Sequence, residues 1–333
     1  MNRYLLNFSY IGTAFRGLQR QIIKSEPYKP DTNTVQGCIE TALRNIFPVN
    51  KPELILSSRT DKGVHSLSNY GHVDLEEING KSFREEEITS TLNRAFCVNN
   101  IPIRIIRTIH IPNSFHCRYN AKLRTYLYRI ANTKKEISKE EKNIHYIAYI
   151  PIEDANRCFY LQKKIDIDIL IKNSKLFQGK HDFRTFMSSS KNNEKQKHPM
   201  HSIRTIIEIS VNRSIPPINS YEYEKAIENY DYWEIKIIGP SFLYKQIRRI
   251  VGTLIAASSG RISSQEIYEM LTIPSKFSWN TKAVVAPPHA LYLCEVHYNE
   301  TDFRFNKDID NINEIENESI RENNAKKEQA ATN

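Results

Sequence analysis

Residues 57–66 of this chain read Ser57-Ser58-Arg59-Thr60-Asp61-Lys62-Gly63-Val64-His65-Ser66. An apolar extended run at 54–56 precedes them, and a strand-like stretch at 69–75 follows them. The Asp-x-Gly triplet predicts a tight turn, so we expect Asp61 on a sharp loop between strand ends. The guanidinium of Arg59 favours an ionised carboxylate that can act as a nucleophile or a base. On spacing alone, a solvated Asp-Lys-Gly hairpin turn is the commoner interpretation.

The charge of the chain is unevenly distributed. The 333 residues carry a formal net charge of +9, and this length suggests two domains or one elaborate domain. Residues 299–333 contain nine acids and five bases, a net charge of −4, so the preceding residues carry +13. A body this basic favours a polyanionic partner, with RNA or DNA as the first candidates. A merely soluble basic protein is the alternative.

Cysteine usage and hydropathy restrict the compartment and the class of site. The five cysteines are odd in number and form no C-x-x-C pair: Cys38, Cys97, Cys117, Cys158 and Cys294. This pattern predicts a reducing, intracellular location, with no zinc ribbon and no disulfide framework. His198 and His201 have no Cys or acid cluster beside them, so no metal site is predicted. No apolar run approaches the ~18 residues of a membrane span. The strand-like pattern begins by Arg3, which leaves no room for a signal peptide.

The order of predicted elements indicates the fold class. In the first half, hydrophobic periodicity predicts strands at 3–10, 54–56, 69–75, 101–109 and 125–130, and helices from about Thr34 and at 85–96. In the second half it predicts helical stretches between 152 and 177, strands at 204–211, 232–238 and 291–298, and a strong helix at 241–259. This split βαβ order is typical of ferredoxin-like halves with largely antiparallel pairing, an α/β protein of the α+β type.

Composition predicts the domain limits and the variable segments. We expect an N-terminal half at 1–145, a C-terminal half at 146–298 that completes a cleft, and an acidic tail at 299–333. The tail has few apolar anchors, so it is predicted to be disordered beyond about Phe305. The polar stretch 188–196 is predicted to be a mobile loop, and 214–229 an insertion.

Six motifs occur in the order in which one enzyme family carries them. They lie at 15–21, 57–66, 115–121, 181–186, 242–252 and 286–293. Through them the chain resembles the TruA family of tRNA pseudouridine synthases over about residues 4–298, whose central signature is G-R-T-D-A-G-V-H-A. In having Ser58 before Arg59, the chain is similar to the eukaryotic tRNA pseudouridine synthase-like 1 branch of the family. The chain departs from the family pattern at four positions. Leu18 stands where the family usually has Trp, Ser58 and Ala290 where it has Gly, and Lys62 where it has Ala.

The resemblance implies a fold and an activity. Family members have two similar halves that share one mostly antiparallel mixed sheet with helices behind it, the pseudouridine synthase fold. They isomerise uridine to pseudouridine in tRNA, classically in the anticodon stem-loop, act as homodimers, and require neither a redox cofactor nor a metal. A mitochondrial location is compatible with the resemblance, although no cleavable presequence is visible.

The resemblance also assigns the site residues. Asp61 matches the catalytic nucleophile, Tyr126 lies against the flipped base, Arg248 pairs with the Asp, and Leu291 helps to wall the pocket; Arg59 is a further substrate-binding candidate. Without the resemblance, Tyr126 is better interpreted as a core aromatic, since Tyr128 shares its face, and Arg248 as part of a solvated basic helix face. Candidates for RNA contact are Arg16, Arg20, Arg118 and Arg124, which otherwise are ordinary solubilising arginines.

Two competing functions remain open on sequence. A catalytically inactive paralogue would keep the fold and bind structured RNA, but it would be expected to lose at least one of Arg59, Asp61, Tyr126 and Arg248. A glycosidase-like or nuclease enzyme would require a second carboxylate or metal-binding acids near Asp61, and none accompanies the motif.

Overall fold

A computed structural model describes residues 1–21, 31–77, 81–134, 150–188, 202–216 and 227–305. Most of the predicted loop at 188–196 and of the predicted insertion at 214–229 lies outside these ranges, as does the chain beyond 305.

The described residues form eleven strands: β1 Asn2–Tyr10, β2 Ile55–Leu56, β3 His65–Leu75, β4 Ile103–Ile111, β5 Leu123–Thr133, β6 Phe159–Tyr160, β7 Gly179–Asp182, β8 Ile203–Ile206, β9 Glu208–Ser214, β10 Tyr230–Gly239 and β11 Leu291–His297. Nine of them make one sheet with the order β4-β1-β3-β11-β5-β10-β9, in which β2 pairs with β3 and β6 with β5. Strands β7 and β8 form a separate ribbon. All pairs in the large sheet are antiparallel except β3–β11 and β5–β6. This mixed, mostly antiparallel sheet confirms the predicted fold class.

The described residues also form five α-helices: α1 Val35–Leu43, α2 Glu85–Val98, α3 Ile167–Ser174, α4 Gln246–Ser258 and α5 Ser264–Thr272. Side chains cap three of them. Thr34 accepts from the Gly37 N–H at the start of α1, and Asp166 accepts from two N–H groups at the start of α3. Ser263 and Glu266 form a reciprocal capping box at the start of α5. Each cap satisfies N–H groups that have no partner inside the helix.

Two large apolar cores lie against the sheet. In the first, alternate residues of β1 (Tyr4, Leu6, Phe8) pack with buried residues of α1 and α2. In the second, Tyr126, Tyr128 and Ile130 of β5 pack with β10 and with the apolar stripe of α4. The shared face of β5 and the amphipathic α4 are therefore as predicted. Strand β5, which comes from the first half of the chain, hydrogen-bonds to β10 and β11 of the second.

Four features differ from the predicted elements. The single strand predicted at 204–211 is two strands, β8 and β9, in different sheets. The helix predicted from 241 begins at Gln246, because Lys245 has a φ of 60° that no α-helix contains. Between 152 and 177 there is only one α-helix, preceded by β6. Helix α5 was not predicted, although its Ser263-x-x-Glu266 box is visible in the sequence.

The chain past the predicted tail boundary at 298 continues to pack on the body. The Phe303 ring lies 5.4 Å from that of Phe115 and 5.7 Å from that of Tyr298. The Phe305 ring lies 5.0 Å from the imidazole of His110. Residues 299–305 thus contact the folded body. None of the helices in the described ranges is long and apolar enough to cross a bilayer.

Candidate active site

Asp61 lies on a turn that leads directly into β3. The Val64 N–H donates to the Asp61 carbonyl over 3.1 Å. Between them Gly63 has a φ of 83°, a left-handed conformation that glycine adopts without strain. A Cβ at Gly63 would also lie 3.0 Å from the ring of Pro288. Since β3 begins at His65, this turn fixes Asp61 at the N-terminal end of a central strand.

Hydrogen bonds from neighbouring strands hold this loop in place. The Tyr10 hydroxyl at the end of β1 lies 2.7 Å from the hydroxyl of Thr60. Burial raises the pKa of Tyr10 to about 12, so this hydroxyl stays protonated and neutral near pH 7. The Asn69 side chain on β3 donates to the Ser58 carbonyl over 3.1 Å. The backbone on the N-terminal side of Asp61 is therefore anchored to two strands.

Arg248 of α4 forms an ion pair with Asp61, which lies 187 residues earlier in the sequence. Its Nη1 donates to Asp61 Oδ2 over 2.9 Å, and the two side chains are only 12% and 18% exposed, so water screens the pair weakly. The Arg248 Nε donates to the Ala286 carbonyl over 2.7 Å, which fixes the plane of the guanidinium. Within the described chain, no donor contacts Asp61 Oδ1. One carboxylate oxygen is thus held while the other is open to a substrate.

Close backbone packing sets the position of α4. A Cβ built on Gly252, one turn after Arg248, would lie 1.9 Å from the Val284 carbonyl oxygen. Only glycine permits this approach. The Ala286 N–H donates to the Arg248 carbonyl over 3.0 Å, a second link between the helix and the 284–286 segment. The contact brings the guanidinium of Arg248 within reach of Asp61.

The parallel pairing of β3 and β11 brings Leu291 to the same place. Tyr292 is opposite His65 and Leu293 is opposite Ser66, so both strands begin side by side. Leu291, the first residue of β11, is therefore next to the end of the Asp61 turn, and it is buried. The structure brings together Asp61, Arg248 and Leu291 although they are far apart in sequence.

Tyr126 closes another side of the same pocket. It is 7% exposed, and its ring meets Phe242 edge to face with centroids 5.2 Å apart. Burial, with a smaller contribution from Tyr10, raises the pKa of the Tyr126 hydroxyl, which therefore stays protonated at neutral pH. It can donate or accept a hydrogen bond without carrying charge.

These side chains line a cavity of about 110 Å³. Its walls are Arg59, Thr60, Asp61, Val64, Tyr126, Phe242, Leu243, Tyr244, Lys245, Gln246, Ile247, Arg248 and Leu291. A small, half-apolar pocket with aromatic walls suits a flat ring, and an oriented carboxylate in its wall suits nucleophilic attack or proton removal.

Two of the predicted RNA-contacting arginines carry ion pairs. Arg16 contacts Asp31 at 2.9 Å with 40% of its side chain exposed, and Arg20 contacts Glu40 at 3.0 Å with 33% exposed. Arg59, at the edge of the Asp61 pocket, is exposed. These arginines retain surface that a phosphate can reach.

Arg118 and Arg124 have different surroundings. Arg118 is exposed, whereas Arg124 is 9% exposed. The Arg124 guanidinium donates to the Ser58 hydroxyl over 2.9 Å and to the carbonyls of Pro240 and Arg118. Burial lowers its pKa. The structure thus places Arg124 as a link beneath the surface, and we assign it a positioning role.

Sequence periodicity did not separate Arg248 from its neighbours. The three- and four-residue spacing of Lys245, Arg248 and Arg249 predicts one basic helix face, but in the structure Lys245 precedes the helix. Arg249 donates to the Thr185 and Met187 carbonyls over 2.8 and 2.6 Å. Its guanidinium also lies 4.7 Å from the Trp279 ring centroid. Arg249 is thus a packing residue. The Tyr10–Thr60 contact was also missed, since no local signal in the sequence joins them.

One cluster among the described residues has the chemistry of metal ligands. Ligand atoms of His72, His116 and Cys117 lie within 4.8 Å of one another. Each already has a hydrogen bond: His72 Nδ1 accepts from the Cys117 N–H, His116 Nδ1 from the Arg118 N–H, and Cys117 Sγ donates to the Ile55 carbonyl. Burial raises the pKa of the Cys117 thiol to about 12, whereas metals bind the thiolate. We assign no metal to this cluster.

Comparisons with known proteins agree with the geometry. The family model of tRNA pseudouridine synthases matches residues 174–299. The chain is 33% identical over 303 residues to tRNA pseudouridine synthase-like 1 of Xenopus laevis, covering 90% of this chain and 92% of that protein. It is 29% identical over 304 residues to the human protein of the same name, covering 89% and 90%. It is 31% identical over 297 residues to tRNA pseudouridine synthase A of Wolbachia pipientis wMel, covering 89% and 100%. The chain therefore belongs to the tRNA pseudouridine synthase family of RNA-modifying isomerases.

Proposed function

We propose that this protein isomerises uridine to pseudouridine in tRNA, with Asp61 as the nucleophile. The observation that carries the proposal is the largely buried pair between Asp61 and Arg248 in the lining of a pocket the size of a small ring. The basic body of the chain and the names of its relatives support tRNA as the substrate.

In the proposed reaction Asp61 Oδ1 attacks C1′ of the target nucleoside, and the C1′–N1 bond breaks to release a uracil anion. The detached uracil turns in the pocket, and its C5 attacks C1′ and displaces the Asp61 carboxylate. The proton on C5 is then lost and a proton is gained at N1, so that atoms and charge balance. Arg248 holds Oδ2 throughout. Tyr126, protonated and against the base, is our candidate for handling these protons.

The target nucleotide must leave the helical stack to reach Asp61. We propose that Arg59, which is exposed at the edge of the pocket, contacts the displaced nucleotide. Arg16, Arg20 and Arg118 then contact phosphates, giving affinity without base recognition. Leu291 forms part of the pocket wall.

The finer assignments rest on the family and are also proposals. We propose the anticodon stem-loop as the modified region and a homodimer as the active assembly. We propose residues 1–145 and 146–298 as the two halves of the cleft, since Asp61 comes from the first and Arg248 from the second. We propose that 299–333 is an accessory tail, of which 299–305 contact the body.

A catalytically inactive RNA-binding paralogue is the second candidate. It is disfavoured because Asp61, Arg248, Tyr126 and Leu291 line one pocket in this chain, and binding alone would not require that arrangement.

Chemical mapping of pseudouridine tests the proposal. Purified protein is incubated with unmodified tRNA transcripts, and the same mapping is done on RNA from cells that lack the protein. We expect new pseudouridine in the anticodon stem-loop in vitro and loss of the same position in the cells. Modification at another position would overturn only the anticodon assignment. Transcripts that bind the protein but are never modified would favour the inactive paralogue.

A further inference from the structure

A second cavity adjoins the Asp61 pocket and has no role in the reaction described above. Its volume is about 480 Å³, against about 110 Å³ for the Asp61 pocket. Arg59, Tyr126 and Phe242 line both cavities, so the two share a wall. A ligand that places one ring beside Asp61 therefore lies next to the larger cavity.

The charged side chains that line the larger cavity are all positive. Four arginines line it, Arg59, Arg118, Arg124 and Arg204, and none of its described lining residues is acidic. Arg59 and Arg118 are exposed, so their guanidinium groups can reach a phosphate. Such a cavity favours an anionic ligand.

One wall carries an aromatic side chain that the fold does not bury. Tyr119 is 76% exposed, although it lines the cavity. Its ring lies on the imidazole of His116, with centroids 4.2 Å apart and planes inclined by 34°. The Arg118 guanidinium lies 5.9 Å from the Tyr119 ring centroid. An aromatic ring that packs on an imidazole and keeps most of its surface exposed offers a surface on which a nucleobase can stack.

Hydrogen bonds fix the turn that carries Tyr119 in position relative to the Asp61 loop. The Tyr119 N–H donates to the His116 carbonyl over 3.0 Å, and the His116 N–H donates to Asn120 Oδ1 over 3.0 Å. Arg124 donates both to the Arg118 carbonyl and to the Ser58 hydroxyl. The two cavities are thus fixed relative to each other, which reduces the ordering cost of a ligand that spans them.

We propose that this cavity binds an unpaired nucleotide that neighbours the target uridine, with its base stacked on Tyr119 and its phosphate against Arg118 or Arg59. The inference rests on the proposed function, since the uridine in the Asp61 pocket defines the neighbour. It adds a requirement on the substrate: a nucleotide beside the target must be unpaired, so that its base is free to leave its stack.

A double-mutant cycle between protein and RNA tests the subsite. The protein variants are wild type, Tyr119→Ala and Tyr119→Phe, with Tyr268→Ala as a control, because Tyr268 is an exposed tyrosine on α5 that lines neither cavity. The RNA is a hairpin carrying the modified loop, with an abasic nucleotide at each loop position in turn. The measured quantity is kcat/KM for pseudouridine formation.

We expect Tyr119→Ala to lower kcat/KM about tenfold, the scale of one base–aromatic stack. An abasic nucleotide beside the target should lower it similarly for the wild type and hardly further for Tyr119→Ala. Tyr119→Phe and Tyr268→Ala should match the wild type. A wild-type kcat/KM for Tyr119→Ala would overturn the subsite. So would a kcat/KM in which the losses from Tyr119→Ala and from the abasic nucleotide multiply, because the two changes would then act independently.

The outcome is separable from that of the proposed function. If the wild type forms no pseudouridine, the proposed function fails, and the same cycle is run on the dissociation constant of the hairpin. One abasic position whose effect disappears in Tyr119→Ala would still support the stacking site. Equal affinity of wild type and Tyr119→Ala for every hairpin would reject it.

Discussion

The loop before β3 and the loop before β11 lie side by side, because their strands pair in parallel, yet they differ in composition and in role. Residues 57–64 are mostly polar and present Asp61. Residues 284–290 are mostly Val, Ala and Pro, and their carbonyls accept from other elements: Ala286 from Arg248, and Pro287 from the Tyr128 hydroxyl. One loop carries the proposed chemistry, and the other fixes the geometry.

The difference shows which contacts set the orientation of the Asp61 carboxylate. Arg248 contacts both loops, through Nη1 to Asp61 and through Nε to the Ala286 carbonyl. The direction of the carboxylate therefore depends on a backbone atom of the unreactive loop. Changes to either loop, or to the helix between them, should alter turnover by different routes.

Arg248→Ala should have the largest effect of the variants that leave Asp61 intact. Without the guanidinium the carboxylate loses its orientation, and misplacement of a reacting group costs roughly a hundredfold in turnover. tRNA affinity should change little, because one cation among many is lost. Arg248→Lys should recover only part of the rate, since an ammonium cannot bridge the two loops as a guanidinium does. Single-turnover rates and dissociation constants check this.

Arg249→Ala is the matched control for that prediction. Arg249 is the next cation on α4, but it donates to the Thr185 and Met187 carbonyls and not to Asp61. The control should lower stability with a much smaller change in turnover. Near-normal turnover with weakened tRNA binding in Arg248→Ala would instead make Arg248 a phosphate contact.

Gly252→Ala tests whether the position of α4 affects turnover when Asp61 and Arg248 are themselves unchanged. Its Cβ would lie 1.9 Å from the Val284 carbonyl oxygen, so α4 must shift away from the 284–286 segment. We expect a loss of about 1–3 kcal/mol in the free energy of unfolding, with reduced turnover because Arg248 moves too. Gly260→Ala is the control: its φ is +71° with nothing within 4 Å, so only the strain of about 1–2 kcal/mol remains and turnover should hold. Equal turnover in both variants would contradict the role of this contact.

Tyr10→Phe should have the smallest effect. The change removes the hydroxyl 2.7 Å from Thr60 and keeps the buried ring, so about 1 kcal/mol of loop anchoring is lost. We expect turnover to fall a few-fold. Burial holds the pKa of Tyr10 at about 12, so the ratio to wild type should be constant between about pH 6 and about pH 9. A ratio that varies with pH in this range would mean that Tyr10 takes part in proton transfer.

Local signals in the sequence predicted much of the fold. The alternation in β1 and β5, the apolar stripe of α4 and the start of α1 near Thr34 all depend on neighbours in the chain, and the structure contains them. The turn at Asp61 was also predictable, because Gly63 is the residue such a turn requires.

Features set by distant partners were not predictable in this way. Arg124 is a surface arginine by composition, and only its contacts with Ser58 and Pro240 make it a buried link. Arg248 and Arg249 are adjacent cations, and only the positions of Asp61 and Trp279 distinguish them. The capping box of α5, in contrast, was a local signal that was overlooked.

The most direct test of Asp61 as the nucleophile is the single-turnover rate of pseudouridine formation by Asp61→Asn, measured with its tRNA affinity. The substitution keeps the size of the side chain but removes its charge and its nucleophilic oxygen. The control is Asp74→Asn, which breaks the Arg3–Asp74 pair, an ion pair 2.7 Å long that lies outside both cavities. We predict undetectable product for Asp61→Asn, with affinity equal to or slightly above wild type, and a near-normal rate for Asp74→Asn. Product formation by Asp61→Asn, or loss of affinity together with activity, would contradict the assignment.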